Sequence, residues 1–453
     1  MQACHFATAK KQRRQCPIPN ATPKMVEIWR RYEGCSSANL QNWDTSKVTD
    51  MSHLFEDFTG VIPNISRWDT SKVTNMNAMF KNYKGELPDM SKWKTYNVED
   101  MSYLFYGCTC KKIKIRNWNT KNVENMSHMF AKCYDLEEID LSKFDTSKVT
   151  NMYGLFFDCI LLRRVNLANW NTSNVENMSY IFYFCVSLIE IKIKFLNLRS
   201  LKYLDFAFYR CQDLRDFNLI PWNLNNVINM ESVFRDCTNL EKINLSYFNT
   251  RNVTNMKCLL SGCIRLKKIT FGRKFDTSKV TNMAYLFSKC NVLEEIDLSK
   301  FNTENVTDMH YLFKDCKSLK SLDLSSFNTM NVIDMRGLFS GCSSLVSLDL
   351  SNFITWSVTS MAEMFFDCCS LLSLDISNFD TQTTRNMDSM FAGCSLLSFL
   401  DLSSFNTTNV QHIDYMFAYC YNLNFIKTSN YWMWGLNGDE TYLECNNLTI
   451  YNK

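Results

Sequence analysis

Glycine and proline are scarce in this 453-residue sequence, with 12 and 6 copies, which excludes collagen-like and Pro/Gly-rich low-complexity chains. No stretch approaches eighteen consecutive apolar residues, so no membrane-spanning helix is expected. An excess of one charge is also missing. With 49 Lys+Arg against 46 Asp+Glu the net charge is +3, too balanced for a chain that grips nucleic acid through its phosphates. The five histidines, His5, His53, His128, His310 and His412, are scattered with no nucleophile signature beside them, and neither a Walker motif nor a dinucleotide-binding fingerprint occurs. A non-enzymatic protein without cofactor or metal is the expectation. The N-terminus, Met1 to Lys11, lacks an apolar block of signal-peptide length before its charges, so an intracellular location is expected.

What the chain has in quantity is a repeat. Taking the residue that opens each unit as position zero gives Trp43, Trp68, Trp93, Trp118, Phe144, Trp170, Leu196, Trp222, Phe248, Phe275, Phe301, Phe327, Phe353, Phe379 and Phe405, fifteen units spaced 25 to 27 residues apart. Position +5 is Val in thirteen units, +8 is Met in thirteen, +12 is Phe in fourteen and +15 is Cys in thirteen. A unit this short cannot bury its own apolar residues; it buries them against the same residues of the next coil, so the columns read as core ladders. Within a unit, Leu319-Lys-Ser-Leu322-Asp-Leu324 has the spacing of a leucine-rich repeat, with alternate side chains pointing inward. Val306 to Met309 alternates like a second short strand, and Tyr311 to Cys316 spaces its apolar residues like one helical turn. The expected fold class is α/β: a leucine-rich-repeat solenoid of about 15 coils of 25–27 residues, a parallel sheet on one face and short strands with helical turns on the other.

The consensus Phe/Trp-Asn/Asp-Thr-x-x-Val-x-x-Met-x-x-x-Phe-x-x-Cys-x-x-Leu-x-x-Leu-Asp-Leu-Ser resembles the repeat of the BspA-like leucine-rich repeat surface proteins, also seen in mycoplasma lipoproteins. That resemblance spans the array and implies a leucine-rich-repeat solenoid with a role in adhesion or protein binding, and a surface-associated location as the alternative to an intracellular one.

A stack exposes an apolar cross-section at each end and needs caps. Residues 1–42 read as an N-terminal cap, with Met25 to Tyr32 at helical spacing; 43–430 form the solenoid; 431–453, with Tyr431, Trp432, Trp434, Tyr442 and Leu443, form a C-terminal cap. The unit from Leu196 is the most irregular, with Leu198, Leu201, Tyr203 and Leu204 at columns held by other residues elsewhere, and it reads as a locally repacked coil, a bend or a docking site. Of the 20 cysteines, thirteen occupy the +15 column and read as reduced core thiols. Cys4, His5, Cys16 and Cys35 could supply four metal ligands, but their spacings fit no paired-ligand motif.

Charge is distributed unevenly along the chain. Residues 1–300 hold 42 Lys+Arg and 30 Asp+Glu, a net of +12, and residues 301–453 hold 7 and 16, a net of −9. Such polarity orients encounters with a charged partner or favours self-association. On the outward side of the leucine-rich-repeat strand, Asp297, Asp323, Asp349, Asp375 and Asp401 recur in successive units, each followed two residues later by Ser299, Ser325, Ser351, Ser377 or Ser403, whose side chains are expected to hydrogen-bond them. Phe399 and Phe425 stand at outward positions that are polar in other units. These seven residues form the candidate binding face, suited to a basic protein partner; the alternative is a structural or self-assembling coat component. On the convex side Trp356 occupies a normally polar position.

Overall fold

The structure is a computed structural model that describes residues 40, 41, 43–192, 197–217, 222, 224–432, 440–445 and 448–452. The expected N-terminal helix, the possible Cys4/His5/Cys16/Cys35 ligand set and Trp434 lie outside them.

One hydrogen-bonded spine organises the molecule. Fourteen parallel bridges link the +7 residues of successive coils, from Asp50 to Asn75 and onward through Asn282, Asp308 and Asp334 to His412. The irregular unit takes part without a break, as Tyr203 bridges both Asn177 and Asn229. Next to this spine the backbone does something a helix cannot. In the coil from Phe301, the N–H groups of Met309, Tyr311, Phe313 and Asp315 donate to the carbonyls of Asp334, Arg336, Leu338 and Ser340 in the next coil. The alternate N–H groups, those of Leu312, Lys314 and Cys316, donate three residues back within their own coil. A helix would keep all these donors within its own segment, so the expected helical turns are corrected to a run of overlapping turns, and no α-helix occurs among the described residues. The geometry requires two left-handed residues per coil, at +10 and +14, such as Tyr311 (φ 57°) and Asp315 (φ 57°). Each costs on the order of 1–2 kcal/mol for a residue other than glycine, offset by the bonds to the next coil. At Gly337 (φ 58°) a Cβ would run into the Tyr311 ring of the preceding coil, so glycine serves there for space as well as for conformation.

The leucine-rich-repeat strand is less continuous than the sequence suggests. Among the described residues it forms three parallel sheets: β1 (Glu138–Asp140), β2 (Arg164–Asn166) and β3 (Glu190–Lys192); β4 (Asp216–Phe217), β5 (Lys242–Leu245) and β6 (Lys268–Phe271); and β7 (Phe399–Leu402), β8 (Phe425–Thr428) and β9 (Thr449–Asn452). Between β6 and β7 the corresponding segments, which carry Asp297, Asp323, Asp349 and Asp375, do not pair as strands. In β7 the equivalent Asp401 faces Lys427 of β8 in register, with Nζ 3.0 Å away, and that ladder forms. Stacked like charges without a cation oppose close strand approach.

The columns are the core. The +12 rings stack coil on coil, Phe55 on Phe80 at 5.6 Å through Phe391 on Phe417 at 5.7 Å, with one interruption at Leu260. Phe208 of the irregular unit stacks on Phe182 and Phe234, both at 5.5 Å. The opening tryptophans form a second pile, and Trp68, Trp93, Trp118 and Trp170 each donate Nε1–H to a main-chain carbonyl of the preceding coil. Column thiols also bond: Cys316 Sγ donates to the Phe287 carbonyl at 3.2 Å, and the other twelve make the equivalent contact. This explains cysteine over alanine or valine, since a small apolar side chain with a weak donor reaches a carbonyl that is otherwise only partly satisfied. The +2 threonines clasp neighbouring coils: Thr303 Oγ1 donates to the Asn328 carbonyl and accepts from the Asn328 N–H, both at 2.8 Å.

Candidate functional site

The row of carboxylates predicted from the sequence is present and open. Asp297, Asp323, Asp349 and Asp375 are exposed in successive coils, and Asp401 is half-buried. Each Oδ1 accepts the backbone N–H of the serine two residues on, at 3.0 Å in the first four and 2.9 Å for Asp401. This is an Asx turn that fixes the carboxylate at the strand end. The serine hydroxyl and N–H hold Asp297, Asp323 and Asp349 below the ordinary carboxylate value, and for Asp375 the N–H is the larger of the two effects. At Asp401 burial pushes upward and is outweighed by Ser403 and by Lys427, whose Nζ lies 3.0 Å away. The charges of Asp297 and Asp349 oppose ionisation of Asp323, as those of Asp401 and Asp349 oppose that of Asp375. Among the described residues, no lysine or arginine pairs with Asp323, Asp349 or Asp375.

The two phenylalanines flank the end of this row. Phe399 and Phe425 pair in register in β7 and β8 and are 50% and 45% exposed. Phe425 stacks on Tyr451 of β9 at 6.0 Å, and Tyr451 pairs in register with Lys427. The strand side carries more apolar surface than the sequence reading picked out. Val346 and Leu372, each three residues before its Asp, are adjacent in neighbouring coils and exposed, as are Leu396 and Tyr421. Their signal was available: the same columns hold charged or polar residues in most earlier units. The face therefore joins a row of unneutralised carboxylates to an apolar patch.

Two other clusters lie on the left-handed turns. From Tyr103 to Tyr209, rings at +10 and +13 pile up along the stack, with Tyr103 on His128 at 4.6 Å, Phe157 on Tyr183 at 4.7 Å and Tyr183 on Tyr209 at 4.8 Å. The near-parallel planes turn ring faces toward neighbouring coils, so the pile is chiefly internal packing; burial there pushes the His128 imidazole toward its neutral form. Further along, His310 Nδ1 lies 2.5 Å from Asp308 and 3.8 Å from Asp334, and Arg336 Nη2 lies 3.0 Å from Asp334. The arrangement is a polar cluster in which the His310 ring and the Arg336 guanidinium already engage the two carboxylates. His53 and His128, on one column, stay three coils apart.

The coil, its two ladders and its columns define a leucine-rich-repeat β-solenoid. Residues 24–137, 107–217, 186–270, 266–371 and 346–434 each match the family described as Mycoplasma protein of unknown function, DUF285, and the chain belongs to that family. The kinship with BspA-like leucine-rich repeat proteins expected from the repeat holds. Among solved structures, a leucine rich cell surface protein of Faecalibacterium prausnitzii is similar over 73% of this chain and 83% of its own, at 19% identity and a TM-score of 0.40. A leucine-rich repeat protein of Bacteroides ovatus is similar over 73% and 88%, at 17% identity and a TM-score of 0.39. No curated protein sequence matches the chain. No helix among the described residues is long and apolar enough to cross a membrane.

Proposed function

We propose that the chain is a non-enzymatic scaffold whose strand face, from Asp297 to Phe425, docks a basic protein segment that also carries apolar side chains, in adhesion or in recognition of a host or cellular partner. The observation that carries this reading is the contiguity of unpaired carboxylates with exposed Val346, Leu372, Phe399 and Phe425. Charge speeds the encounter and a desolvated aromatic anchor slows escape. In this division of the chain, residues 43–430 are the scaffold and 1–42 and 431–453 its caps. Docking of this kind is compatible with a reduced intracellular setting and with surface display.

The test is binding kinetics with a partner captured on the intact chain. Asp349→Lys with Asp375→Lys should slow association, an effect that fades as salt rises. Phe399→Ala with Phe425→Ala should speed dissociation at every salt concentration, at a cost of about 2 kcal/mol or more. If neither pair changes binding while the thermal melt is intact, the strand face is not the site. A self-assembling coat role rests on the charge reversal between residues 1–300 and 301–453; light scattering that reports a monomer independent of salt would remove it.

A further inference from the structure

Away from the strand face, columns +3, +4 and +6 of the coils from Phe301 to Phe405 line an open groove of about 1180 Å³. Trp356 stands in it, 52% exposed, with Nε1–H donated to the Met330 carbonyl at 3.2 Å. Its only polar atom is thus engaged, and what it offers a ligand is ring surface. Most other coils hold a small polar or charged residue at this column, so coil packing does not call for an indole.

Apart from the exposed Ile333, the remaining lining is polar and nearly free of charge. On columns +4 and +6 earlier coils carry Lys47, Lys72, Glu99, Glu124, Glu176 and Lys202, whereas from Asn305 to Gln411 the only charge on them is Arg385. Many of the donors are already committed. Asn305, Asn331 and Asn409 give Nδ2–H to carbonyls of the preceding coil at 2.7, 2.8 and 2.8 Å. Thr359 and Thr383 give their hydroxyl protons to the Ile333 and Trp356 carbonyls at 3.1 and 2.7 Å. Each of these asparagines keeps one N–H and its amide oxygen, and each threonine the lone pairs of its hydroxyl, so the row can both donate and accept.

A row of amides and hydroxyls that both donate and accept, beside one indole and one guanidinium, suits a ligand dense in hydroxyls, with an apolar C–H face and an anionic group. We propose that this groove binds an acidic oligosaccharide, with a sugar ring lying on Trp356 and a sugar carboxylate paired with Arg385. The volume, somewhat above that of ordinary ligand sites, accommodates several rings.

The test uses the full chain and calorimetric titration with hyaluronan and oligogalacturonate fragments of about six rings, with chitohexaose as the neutral control. Trp356→Ala should weaken binding of the acidic probes by about tenfold or more, and Trp356→Phe should restore part of it. Arg385→Gln should weaken the acidic probes by about tenfold and leave any chitohexaose binding unchanged. Phe399→Ala should alter none of these titrations, which separates this site from the strand face. The proposal is overturned if no acidic probe binds the wild-type chain, if binding survives Trp356→Ala, or if a peptide rather than a glycan is found seated on Trp356.

Discussion

The thirteen column thiols make this protein unusually sensitive to alkali. Burial raises every one of them, Cys316 and Cys420 to about 12 and the others also above their ordinary value. In the unfolded chain a thiol ionises near pH 8.5. A group whose folded pKa is raised contributes fully below its unfolded value, and that contribution is lost as pH climbs toward the folded value. At pH 8.5 each column thiol has cost about 0.4 kcal/mol, and at pH 9.5 about 1.4 kcal/mol. Over thirteen thiols the loss grows from about 5 to about 18 kcal/mol across that single pH unit, against a total stability on the order of 20–70 kcal/mol for a chain of this length. The tyrosines raised by burial, among them Tyr180 and Tyr311 at about 12, begin to cost stability only near the unfolded tyrosine value of about 10, above this window. Denaturant or thermal unfolding followed by circular dichroism from pH 7.5 to 9.5, kept anaerobic with a phosphine reductant, should show a steep fall. Replacing Cys316, Cys342, Cys368, Cys394 and Cys420 with Ala should lower stability at neutral pH and reduce the pH slope by about two fifths. Stability that is flat across the window, or an undiminished slope in the variant, would refute the buried-thiol account.

Two further outcomes follow from the coil. Thr303→Val should destabilise by about 2 kcal/mol in a urea melt, because it strips both partners from the Asn328 peptide group, and Thr303→Ser should recover most of that; a Val variant as stable as the wild type would contradict the clasp. Under native conditions a maleimide should label the partly exposed Cys369 well before any column thiol, read by peptide mass spectrometry, and rapid labelling of the column would show that the stack opens.

The core of this fold was legible because its signal is positional. Val at +5, Met at +8, Phe at +12 and Cys at +15 recur at fixed phase, and each is buried in coil after coil. The helical turn was misread for a physical reason: residues +11, +12 and +15 are apolar, as on one face of a helix, but every second N–H leaves the coil. Tyr311, Lys289 and Phe206 give no hint of positive φ, because the next coil rather than their own propensity imposes it. The far end was also under-read. Cys445 lies 25 residues after Cys420 and repeats the column bond, donating Sγ to the Phe417 carbonyl at 2.9 Å, while Tyr442 stacks on Phe417 at 5.5 Å where a further coil would place its Phe. A Tyr in place of Phe and the loss of the Val and Met columns hid this continuation. The carboxylate row was visible as a pattern, yet its consequence was not, since sequence alone does not show that Arg116 lies beside Asp140 and Lys427 beside Asp401 while Asp323, Asp349 and Asp375 have no such neighbour. The stretch where the sheet is interrupted, from Asp297 to Asp375, includes the three carboxylates without a cation in contact, and that is the surface the proposed basic partner would use.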